Sequence, residues 1–107
     1  MNQEIESKHF TDDNGNPAGG HTTGVGLSID WQNGPLMGDD GVRKEPSGAF
    51  VEGVARAVID RLKYYQTSKF KCRENALAIT KLQEAVHWMN HRTADRIDRE
   101  VEGTHQV

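Results

Sequence analysis

Hydrophobic positions along this chain change their period once, and the change divides it. Between residues 25 and 32, Val25, Leu27, Ile29 and Trp31 alternate with Gly26, Ser28, Asp30 and Gln32. A period of two sends alternate side chains to opposite faces, so this stretch predicts a half-buried strand. Asn33, Gly34 and Pro35 then stop it. Further on the spacing widens to threes and fours. Phe50, Val51, Val54, Ala55, Val58, Leu62 and Tyr65 fall along one face of a helix predicted over 48–66. Ser47 is placed to cap it, and Glu52 stands in the first turn, where a negative charge suits the helix dipole. Gly53 interrupts the pattern and marks a point where another backbone could come close. After Thr67, Ser68 and Lys69 a longer helix is predicted over 72–100. Its seam is Ile79, Leu82, Val86, Met89 and Thr93, widened by a shoulder of Leu77, Ala78, Ala85 and Trp88. Two helices joined by so few residues fold back into an antiparallel hairpin.

The expected fold class is therefore mainly α with a small β element. An antiparallel two-helix hairpin is preceded by one or two short strands, and the whole is assembled into a homo-oligomer. Three segments follow: a flexible N-terminal arm at 1–22, a strand and loop at 23–46, and a helical hairpin at 47–107 that oligomerises and binds ligand. The arm is expected because residues 1–20 are polar and end in a run of turn formers, Asp13-Asn14-Gly15-Asn16-Pro17-Ala18-Gly19-Gly20. Oligomerisation is expected for two reasons. Each helix carries more apolar surface than one partner helix can cover, and a single strand has free edges that a second copy can fill.

Composition sharpens this picture. At 107 residues there is room for one domain, and the 35% hydrophobic content is low for a self-sufficient core. The single cysteine, Cys72, excludes an intramolecular disulfide, and the polar start lacks the apolar stretch of a signal peptide. No apolar run approaches the roughly 18 residues of a membrane span. A reducing cytosol and no membrane partner are the expectation. A net charge of −3 argues against binding a DNA or RNA polymer, which relies on many phosphate contacts. A small anion would instead need a local cluster of cations.

One such cluster is Arg92 with Arg96, which at i and i+4 share a helix face. Arginine presents a planar fork that suits phosphate oxygens, and copies arranged about a threefold axis would make a ring of cations matched to three phosphates. The alternative is a solvated face on which the arginines pair with Asp95, Asp98 or Glu100. At the hairpin bend, Tyr64 and Tyr65 end the first helix and Arg73-Glu74-Asn75 opens the second. Tyr65 offers a stacking surface and Asn75 an amide that both donates and accepts, which together suit a base. The alternative is a tyrosine packed on the bend and an asparagine solvating a helix start. His87 and His91 are also i and i+4, with Glu84 on roughly the same side, but they lack a His-Glu-x-x-His pattern and an evident third ligand. They read as polar residues flanking Trp88. Gly24-Val25-Gly26 lies inside a strand pattern and is no phosphate loop. Cys72 has no activating base nearby in sequence and reads as a small buried residue. Neither a cofactor nor a catalytic constellation is implied.

Four blocks carry a further signal: 48–66, 70–85, 88–96 and 101–105. The most specific is Cys72-Arg-Glu-Asn-Ala-Leu-Ala-Ile-Thr-Lys-Leu82. From about residue 24 to residue 105 the chain resembles the phage anti-defence sponges that antagonise Thoeris immunity and share a hairpin domain with the anti-CBASS sponges. The resemblance implies a homohexamer in the host bacterial cytoplasm that binds cyclised ADP-ribose signals between subunits without cleaving them. It also implies separate sites for cyclic trinucleotides or, in relatives, cyclic dinucleotides. By position, Tyr65 matches the residue that stacks on the base and Asn75 a polar pocket residue. Arg92 and Arg96 match the arginine pair of the cyclic oligonucleotide site, whereas the loop from Met37 to Pro46 departs from the family's pattern, with Arg43 or Lys44 as the cations it could offer. Two rivals stand beside this reading: a metal-dependent hydrolase of the same signals using His87 and His91, and a non-binding structural hairpin protein.

Overall fold

The computed structural model describes residues 4–36 and 41–105, with side chains described as far as Asp95. Five elements follow one another: strands β1 (Glu6–Thr11), β2 (Pro17–Gly24) and β3 (Leu27–Trp31), then helices α1 (Val51–Gln66) and α2 (Arg73–His105). They fall into two separately packed units, Met1–Phe50 and Val51–Val107.

The first unit is an antiparallel sheet in the order β1-β2-β3. Two of its strands occupy the stretch expected as a flexible arm, and the reason lies in the turn that joins them. Oδ1 of Asp12 accepts from the amides of Asn14 and Asn16, each at 2.9 Å, and the Asp12 amide donates to the Asn16 carbonyl. An aspartate folding its own backbone in this way closes the hairpin with no help from apolar residues. The register then pairs Ser7 with Thr22 and Thr22 with Ile29. Thr22 is the buried residue of the sheet. Its Oγ1 accepts from the Trp31 indole N–H at 2.8 Å and lies 2.9 Å from the Ser7 hydroxyl. The sheet is thus organised around a polar trio.

The predicted strand is present but shorter at its start. Val25 and Gly26 form the tight turn between β2 and β3, with Gly26 at φ +70° and Val25 82% exposed. Nor does β3 stand alone. It pairs with β2 on one side and with Ala49 on the other, where the Ala49 amide donates to the Asp30 carbonyl and the Gln32 amide to that of Ala49. The bridge to Ala49 covers that edge at Trp31 alone. Gly48 permits this close docking, because a Cβ there would lie 2.5 Å from the Asp30 carbonyl oxygen. Ser47 belongs to the same joint and does not cap α1. Its hydroxyl accepts from the Asn33 amide, and the Gln32 side-chain oxygen accepts from the amides of both Ser47 and Gly48. Accordingly α1 begins at Val51, three residues after the predicted start.

In the second unit α1 and α2 pack together. The α2 seam is the predicted one except for the exposed Thr93, whereas on α1 the stripe is turned by one residue, so that Ile59 is buried where Val58 was expected and Phe50 and Val51 stay exposed. Ile59 and Val86 are the buried hydrophobic residues, with Val54, Leu62, Ile79, Leu82 and Met89 half-buried around them. The shoulder behaves differently: Leu77 is 45% and Trp88 65% exposed, as is 45% of Val58 on α1. Among the described residues of the whole chain, no large side chain is completely buried. An added Cβ at Gly53 would meet nothing within 4 Å among the described residues. Among the described residues, no helix is long and apolar enough to cross a membrane.

Candidate ligand-binding site

The hairpin bend is the most thoroughly hydrogen-bonded part of the helical unit. A helix ends with carbonyls that lack intrahelical partners. Here the Tyr64 carbonyl accepts from the amide and hydroxyl of Thr67, and the Tyr65 carbonyl accepts from the amide and hydroxyl of Ser68. Across the bend the Gln66 side chain reads the backbone of Cys72 in both directions. Its Nε2 donates to the Cys72 carbonyl and its Oε1 accepts from the Cys72 amide, both at 3.0 Å. Cys72 itself sits at the start of α2, where its Sγ accepts from the Asn75 amide at 3.4 Å. It is half-buried and acts as a weak helix cap, in place of the buried packing residue expected.

These bonds fix the two base-reading candidates at one end of the hairpin. Tyr65 precedes the clamping Gln66, and Asn75 is the residue whose amide Cys72 holds. Both are half-buried. The Asn75 side-chain amide makes no hydrogen bond to any other described residue. Next to them stands a residue that pattern reading passed over. Arg61 precedes Tyr64 and Tyr65 by three and four residues, so all three lie on one helical stripe. Its guanidinium carbon is 5.0 Å from the centre of each ring, and the rings are 6.2 Å apart. A hydrogen bond to the Tyr65 side chain, and then the charge that phenol can carry, raise the Arg61 pKa above its ordinary value.

Towards the other end of α2, Arg92 reaches across the hairpin. One guanidinium nitrogen donates to a carboxylate oxygen of Glu52 at 3.1 Å. This partner is a first-turn residue of α1, forty positions away, and the side chains of Asp98 and Glu100, two of the partners expected on the same helix, lie outside the described residues. Glu52 is the more shielded member, its side chain 20% exposed against 52% for Arg92. The Arg96 side chain lies outside the described residues, so the expected pairing of Arg92 with Arg96 is untouched by this geometry. His87 and His91 both set their rings edge-on to Trp88, with centres 5.5 and 5.8 Å away. That is the flanking role expected of them. Among the described residues no three His, Cys, Asp or Glu side chains gather as a metal would require. Arg43 and Lys44 are exposed and belong to the sheet unit.

Sequence reasoning therefore missed Gln66, Arg61 and Glu52 as participants. The i, i+3, i+4 spacing of Arg61 with the tyrosines was available as a signal. The other two act across the hairpin, at distances no local pattern reports.

Two comparisons bear on the site. The model of the family described as Acb2/Tad1, hairpin domain, matches residues 28–94, well over half of the chain. That span includes Tyr65, Asn75 and Arg92 and stops short of Arg96. The chain is also similar to a protein of Bacillus phage SBSphiJ7 named Thoeris anti-defense 1. The two are 47% identical over 79 residues, which is 74% of this chain and 52% of that protein. The chain thus spans about half the length of the curated relative it matches.

Proposed function

Because this chain belongs to the Acb2/Tad1 hairpin-domain family, we propose that it is a phage anti-defence sponge, which binds cyclic nucleotide immune signals and withholds them from the host's effector without cleaving them. The signals are cyclised ADP-ribose isomers of the Thoeris type, with cyclic tri- or dinucleotides at a second site. Tyr65 stacks on the base of the first class and Asn75 reads it. Arg92 and Arg96 hold the phosphates of the second. The one observation that carries the proposal is the braced bend, where a tyrosine ring and a side-chain amide that no described residue engages stand at one end of the hairpin.

Capture without chemistry works only if binding is tight, since each ligand removed occupies a site. Nanomolar affinity corresponds to about −12 kcal/mol and calls for a ligand enclosed on most sides. A single hairpin that leaves Val58, Leu77 and Trp88 on its surface has no such enclosure. A homohexamer supplies it by setting copies of the bend against neighbouring subunits. Exposed apolar positions of this extent support assembly.

The test is to saturate the purified protein with a panel of cyclic ADP-ribose isomers and cyclic oligonucleotides, measure its mass in solution, then denature it and analyse what is released. Six chains and intact ligand are expected. Linearised ligand would instead favour a hydrolase. A folded monomer at micromolar concentration, binding nothing, would leave a structural hairpin protein.

A further inference from the structure

We propose that Arg61 is a positioning residue of the Tyr65 site: its guanidinium holds the Tyr65 ring by one face and leaves the opposite face for the base of a cyclic ADP-ribose-type ligand. The inference rests on the reading of Tyr65 as the stacking residue.

Three features support it. An α-helical side chain leans back towards the helix N-terminus, so Tyr65 lies over the residue four positions before it, which is Arg61. The guanidinium sits 5.0 Å from the Tyr65 ring centre, within the range at which a cation is attracted to the electron-rich face of an aromatic ring. Finally, the same group is 5.0 Å from Tyr64, which is 58% exposed and thus available as a second wall. A tyrosine at the last turn of a helix would otherwise sample several rotamers, and each ligand bound would have to select the stacking one. Arg61 removes that selection beforehand, because the planar guanidinium contacts both rings at once.

The claim requires that Arg61 act through Tyr65, and a double-mutant cycle separates that from direct contact. The probe is whichever cyclic ADP-ribose isomer the unaltered protein binds most tightly, with affinity read by calorimetry and assembly checked by sizing. Arg61→Ala should weaken binding about twofold to fivefold, as expected for one exposed cation–π contact. In a Tyr65→Ala background the same change should have no effect. Arg61→Lys keeps the charge but not the plane, and should recover less than half of the loss on a logarithmic scale. Binding of a cyclic trinucleotide should be unchanged throughout. Unaltered or tighter binding by Arg61→Ala overturns the proposal, tighter binding meaning that the guanidinium covers the ligand's own face. An equal loss with and without Tyr65 overturns it too, since Arg61 would then touch the ligand directly. If the unaltered protein binds no cyclic ADP-ribose isomer, the sponge reading has failed instead.

Discussion

The two candidate sites of the hairpin are built in opposite ways. At the bend, Tyr65 and Asn75 are set by a dense local web: two capped carbonyls, a glutamine read in both directions by one backbone unit, and a cysteine cap. Towards the far end of α2, Arg92 is tied down, among the described residues, by one ion pair to Glu52 on the neighbouring helix, half open to solvent. The difference teaches what each kind of ligand would ask for. Stacking on a base would need a ring carried on a fixed backbone and held in one orientation, and the bend has hydrogen bonds for the first and Arg61 against the ring for the second. Holding phosphates needs positive charge whose geometry can adapt, and a long side chain with one loose partner serves. An exposed pair of this kind contributes little to stability, typically up to about 1 kcal/mol.

This contrast can be broken in several ways, the largest effect first. Tyr65→Ala should weaken cyclic ADP-ribose-type ligands by about tenfold to a hundredfold, the range for loss of a base-stacking aromatic, and leave cyclic trinucleotides untouched. The double change Arg92→Ala and Arg96→Ala should do the reverse, as measured by calorimetry on assemblies of unchanged size. Equal loss of both ligands from either change would mean a single site. Next, Gln66→Leu removes both bonds to Cys72 and should cost about 1–3 kcal/mol of unfolding free energy, followed by chemical denaturation. It should also weaken the ADP-ribose class more than the trinucleotide class. Glu52→Gln should cost less than about 1 kcal/mol, and it should steepen the salt dependence of trinucleotide binding by freeing Arg92 for phosphate. Were Glu52→Gln to destabilise the protein as much as Gln66→Leu, the proposed division between a rigid end and an adaptable one would not hold. The smallest effect is expected from Cys72→Ser, where a better capping oxygen should raise stability by about half a kcal/mol.

Much of the hairpin was legible because its signals are local and periodic. The seam of Ile79, Leu82, Val86 and Met89 is visible as a 3-4-3 spacing, and the packed helices follow it. The sheet was legible only in part. β3 announces itself through Ile29 and Trp31, whereas β1 and β2 contain little that alternates. Their pairing rests on an aspartate-closed turn and on a threonine that bonds to a serine and a tryptophan from the two neighbouring strands. Composition reads such a segment as a loose arm, since hydroxyls and glycines carry no period.

By itself, then, the sequence determined the two helices, their antiparallel return, the α2 side of the buried stripe between them and the places of Tyr65, Asn75 and Arg92 along them, while it set Val58 in the stripe where Ile59 lies. All of these depend on spacing along one chain and on which side chains avoid water. Only the tertiary structure decided that Gln66 would grip Cys72, that Arg92 would meet Glu52, and that Ser47 would serve the sheet and not the helix. Each of those is a directional bond between groups brought together by folding, and a hydrogen bond or ion pair leaves no periodic trace in the order of residues.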